Sequence, residues 1–170
     1  DRNSELEKLA WPDEATRDAF MKKRNSYYSD LHSDEIYAPM SGAKMMPEGS
    51  TDDYLLYVRK SHFAFPEDGS QKEFNALRAE QTERIIHKNE YVKAYYPNAH
   101  AWGSDRTEFL EAFYVDSLAD LDKMLDKMTE LNKAAFPDEV VRKARNKKMG
   151  SYFTGVHGDY IYSRITALSK

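Results

Sequence analysis

"EYVKAYYPNAHAWGSDRTEFLEAFYVDSLADLDKML", residues 90–125, packs two strands, a turn and a helix start into one passage. "EYVKAYYPNAHAW" and "TEFLEAFYV" are rich in aromatic and apolar residues, and "GSD" between them carries turn chemistry, so the pair predicts a hairpin. Ser117 then sits where a helix cap belongs. Leu118, Leu121, Leu125, Met128 and Leu131 follow at the spacing of one buried helical stripe.

Upstream, "YLLYVRKSHFAF" (residues 54–65) reads as another strand. Ser70 and Glu73 make a capping box for a helix that turns Phe74, Leu77, Ile85 and Ile86 to one side. Downstream, "FPDEVVRKARNKKMG" has Pro137 in its first turn and Gly150 as a stop, and so predicts a further helix. "HGDYIYSRITAL" (residues 157–168) closes the series as a strand. The order β-α-β-β-α-(α)-β predicts an α+β, ferredoxin-like sheet backed by helices on one face.

The chain also repeats itself. Set against residues 126–165 with no gap, residues 1–40 are identical at about 18 of 40 positions, where chance gives about two. Pro12/Pro137, Asp13/Asp138, Arg17/Arg142, Tyr27/Tyr152, His32/His157, Asp34/Asp159 and Tyr37/Tyr162 are among the identities. A 125-residue offset is the size of a domain rather than of a solenoid unit. The expected organisation is the C-terminal part of a first copy (residues 1–40), a linker (41–50) and a complete second copy (51–170). Asp1 then aligns with mid-helix, which predicts roughly 70–80 further residues upstream, with a partial duplication as the alternative. A processed front end would favour an extracytoplasmic location.

A sheet with helices on one side leaves its other face bare, and here that face would carry Tyr160 and Tyr162. Covering it against a second sheet gives the duplication a physical purpose, through self-association or pairing with first-copy residues. The element order, with "HAWGSDRTEFLEAFYVDSLADLDKML", resembles the dimeric α/β-barrel superfamily, which includes antibiotic-biosynthesis-monooxygenase-like and stress-responsive barrel proteins. The resemblance implies half of an α/β barrel with a lumen for a small organic ligand or, in some members, haem. It carries no catalytic motif.

Composition narrows the chemistry. With no cysteine, disulfides, thiolate metal sites and a Cys nucleophile are excluded. A net charge of −4 gives no reason to expect nucleic acid, and no stretch is apolar enough to insert in a membrane. The basic runs "MKKR" and "RKARNKK" read as solvated helix faces. No metal or other cofactor is expected; haem, bound through one His, is a remote alternative without an attachment motif.

Candidate site residues fall in three places. His157 and Asp159, at i and i+2 on a strand, share a face, so the carboxylate would orient the imidazole as a base; His32 and Asp34 would repeat that geometry. The competing reading makes the pair a turn-fixing device. In "NAHAWGSD", His100 and Trp102 sit at a hairpin end where they would close a barrel mouth, or simply plug it. In the strands, Tyr57 and Arg59 would share one face, with Tyr95 on a neighbouring strand, and His62 would lie on the other. Arg59 in an aromatic lumen would bind an anion such as a carboxylate or enolate. Tyr162 joins this ligand-binding set. The expectation is small-molecule binding, with cofactor-independent oxygenation or isomerisation as the chemistry. The rivals are a filled, non-catalytic interaction or stress-associated protein, or a haem-binding barrel.

Overall fold

The computed structural model describes residues 2–29, 33–50 and 52–165, and the chain divides into two compact units, Asp1–Asp34 and Glu35–Lys170. The first unit holds helices α1 (Arg2–Ala10) and α2 (Glu14–Asn25). Asp13 caps α2 by accepting from the Thr16 amide at 2.7 Å. No residue of α2 is buried; Trp11 instead stacks on Phe20 with ring centroids 4.5 Å apart.

The second unit is α+β. Its strands are β1 (Ile36–Pro39), β2 (Leu55–Phe63), β3 (Ala94–Trp102), β4 (Glu108–Val115) and β5 (Phe153–Ser163), and its helices are α3 (Gln71–Gln81), α4 (Leu118–Ala135) and α5 (Glu139–Gly150). The strands form one open antiparallel sheet in the order β1-β3-β4-β2-β5. β2, flanked by β4 and β5, is therefore a central strand and not an edge.

Caps place the helices where the sequence sets them. Ser70 accepts from the Glu73 amide, Ser117 from Asp120, and Asp138 from both Val140 and Val141. One feature of α3 is not written in its periodicity: its end widens into a π turn over Thr82–Ile86, closed by the His87 amide on the Thr82 carbonyl. The wider turn leaves both Ile85 and Ile86 buried.

Alternation then sorts the sheet's two faces. Tyr57, Tyr95, Phe113 and Val115 face the helices and form the core with Ile86, Val92, Leu121 and Met124. A second aromatic cluster sits at the other end, where Phe63, Phe74, Phe109, Tyr152 and Phe153 meet at centroid distances of 5.3–6.4 Å. The opposite face carries Lys60, Tyr96, Tyr114, Tyr160 and Tyr162, and both of the last two are about half exposed.

The segment expected as a linker is partly structured. Lys44 pairs with Tyr95 through two backbone hydrogen bonds, and its ammonium donates to the Val92 and Asn89 carbonyls. The matched segments behave alike at first. α2 and α5 have the same length, begin after matching Asp caps and end at serines with the same backbone conformation. They then part company. Asp34 precedes a strand of only four residues, whereas Asp159 lies inside β5. His32 lies outside the described residues.

Candidate functional site

Between α4, α5 and the helix-facing side of the sheet lies a cavity of about 550 Å³, within the size range of small-ligand sites. Its sheet wall is built by Tyr57, Arg59 and Phe113; α4 contributes Met124, Met128 and Asn132, α5 contributes Arg145 and Met149, and β5 contributes His157. Strand alternation fixes which side chains of β2 and β5 reach it. β5's Gly155, whose φ is 83°, and Val156 also line it, where the β2–β5 register shifts.

Arg59 and Asp159 are register partners on β2 and β5. Arg59 donates from Nε to Asp159 Oδ1 at 2.8 Å and from Nη2 to Oδ2 at 3.1 Å, while the Tyr57 hydroxyl donates to the same Oδ1 at 2.7 Å. The Arg59 hydrogen bonds hold the Asp159 carboxyl below its usual range. Burial, and then the hydrogen bond to Asp159, push the Tyr57 hydroxyl up to about 12. His157 stands beside them, its Nε2 3.5 Å from Asp159 Oδ2, and is about half exposed.

Deeper in, Arg78 pairs with Glu111 at 2.9 Å and donates to the Tyr95 hydroxyl, which itself donates to Glu111 at 2.6 Å. Burial first and Glu111 second hold the Tyr95 hydroxyl well above its ordinary pKa. Arg145 donates to Glu80, Gln81 and the Leu77 carbonyl, and lies over the Phe136 ring at 4.3 Å.

Four expected site residues are thus brought together: Tyr57, Arg59, His157 and Asp159. Their setting differs from the expectation, because Tyr57 and Arg59 face the helices and not an aromatic lumen. Arg59 is already neutralised by Asp159, so it is not a free anion-binding group. Tyr95 is wholly buried and belongs to the core network with Arg78 and Glu111.

The remaining candidates, His62, His100, Trp102 and Tyr162, lie on the uncovered face, apart from this cavity. His62 Nδ1 is 3.0 Å from Asp105 and 3.2 Å from the Thr107 hydroxyl, which makes it part of the hairpin turn. Trp102 is 61% exposed and so plugs nothing. His100 is grouped with Glu35 and Glu108, their ligand-type atoms all within 4.8 Å of one another. Glu108 is already engaged, accepting from Tyr37 at 2.5 Å and from Lys60 at 2.9 Å. Burial works against the Lys60 ammonium, but the hydrogen bonds to Tyr37 and Glu108 outweigh it and raise its pKa. A cation entering this group would have to compete with that ammonium.

Several residues of the cavity carry no signal in the sequence reading. Asn132, Arg78 and Glu111 stand in no motif and no apolar stripe. Arg145 belonged to a run read as a solvated face, yet is only 9% exposed. Met124 and Met128 are separated by one helical turn, which a core stripe explains equally well. Comparison with protein-family models, with curated protein sequences and with solved structures found no match.

Proposed function

We propose that this chain binds a small organic molecule in the cavity between α4, α5 and the sheet. The single observation that carries the reading is the combination of a space of about 550 Å³ with polar groups converging on a methionine-lined wall. A protein whose interior served only as packing would fill that space with rings, as it does at the Phe63–Phe74–Phe109 cluster. If the bound molecule is turned over, His157, beside the Arg59–Asp159 pair, is placed to take a proton at the opening.

The finer fold reading belongs with this proposal. The strands β3-β4-β2-β5, in that order and all antiparallel, support a ferredoxin-like unit, and the half-exposed Tyr160 and Tyr162 support the need for a covering sheet, as in an α/β barrel. The covering sheet would be a second copy of this unit.

Filling the cavity tests the binding reading. Met128→Trp should abolish the fluorescence gain of an anilinonaphthalene probe while leaving the far-ultraviolet circular dichroism unchanged. Equal probe binding by both proteins, or none by the parent, overturns the assignment.

A further inference from the structure

Three guanidinium groups reach the cavity, and each is already matched by a carboxylate. Arg59 lies 2.8 Å from Asp159, Arg78 2.9 Å from Glu111 and Arg145 3.0 Å from Glu80. The wall is therefore polar without carrying uncompensated charge. A charged ligand would lose its hydration and find no free counter-ion, so an ionised molecule is disfavoured here.

One polar group of the wall is not matched. Asn132 lines the cavity from α4, its Oδ1 is buried, and that oxygen has no hydrogen-bond partner among the described residues. A buried amide oxygen left in this state carries a desolvation penalty that a bound donor would relieve. Among the described residues no bond holds that oxygen, and the terminal torsion of Asn is soft, so a small rotation would present it to the cavity. Among the apolar parts of the lining, Met124, Met128 and Met149 supply unbranched, adaptable side chains that fit a ring or an alkyl body.

We infer that the ligand is a neutral, mainly apolar alcohol or phenol, whose hydroxyl donates to Asn132 Oδ1 while its hydrocarbon body rests on the methionines. This rests on the binding reading above and specifies it. It also revises the charge of the expected ligand: Arg59 does not wait for a carboxylate, because Asp159 occupies it.

A matched set of probes separates the two levels of the argument. Binding of 4-phenylphenol, 4-methoxybiphenyl and biphenyl-4-carboxylate to the whole chain would be measured by isothermal calorimetry at neutral pH. The phenol should bind about tenfold more tightly than the ether, the usual scale for one hydrogen bond to an otherwise unpaired group. Asn132→Leu should bring the two to equal affinity, with the ether unaffected. If none of the three binds, the cavity is not a ligand site and both readings fall. If the ether or the carboxylate binds as well as the phenol, or the preference survives Asn132→Leu, the cavity still binds but the hydroxyl assignment is overturned.

Discussion

Asp159 takes three hydrogen bonds from two neighbours, and its behaviour sets a pH signature. Its pKa is lowered in the fold from 3.8, chiefly by Arg59, so its contribution is present above that value and is lost as pH falls through the depressed one. Both side chains of the pair are about 40% exposed, which limits the cost of Asp159→Asn to about 0.5–1 kcal/mol near neutral pH. Urea titrations should show that gap narrowing below pH 4; a gap that stays constant into acid would contradict the assignment. Gly103 gives a second residue-level expectation. Its φ is 137°, and a Cβ there would come within 1.6 Å of Glu35 Oε2, which accepts from the Ser104 amide while Oε1 accepts from the Ser104 hydroxyl. Gly103→Ala should cost about 1–3 kcal/mol, read as a lower midpoint in thermal unfolding.

At the level of elements, what matters is how α5 is held. Its start depends on Asp138, which accepts from the Val140 amide at 2.8 Å and the Val141 amide at 3.0 Å. Asp138→Ala should destabilise the unit by about 1 kcal/mol, and Asp138→Ser should recover most of it. If alanine costs nothing by denaturant unfolding, the cap is not what starts the helix. From its buried face α5 sends Arg145 to α3, where the guanidinium meets Glu80, Gln81 and the Leu77 carbonyl. Gln81 is also the residue at which α3 turns into its π segment. The cavity thus lies over a place where one helix departs from regular geometry, and such departures recur at functional sites.

For the whole molecule, the open question is what covers the bare sheet face. Tyr160 and Tyr162, on that face of β5, are each about half exposed, and β5 is the last strand of an open sheet. An uncovered face and edge of this length invite association. Light scattering behind a sizing column should find the chain self-associated, and Tyr160→Ser with Tyr162→Ser should shift it toward monomer. A monomeric parent at micromolar concentration would remove the reason for expecting a second sheet. Among the described residues no helix is long and apolar enough to cross a membrane.

Most helices and strands of the Glu35–Lys170 unit follow from local patterns in the chain. Ser70, Ser117 and Asp138 mark helix starts because short polar side chains satisfy free amides wherever a helix begins, a local matter of one turn. The hairpin around "GSD" and the α4 stripe are local in the same sense. The repeat too is a property of the letters alone. What only the tertiary structure decided was direction. Alternation pairs Arg59 with Tyr57 on one face, but it is the register matching Arg59 to Asp159, 100 residues away, that turns both toward the helices. Asn132 and Arg145 become cavity residues through the way α4 packs on β4 and α5 on β5, which no local pattern encodes. Spacing along a chain fixes which residues share a face; only packing fixes what that face meets.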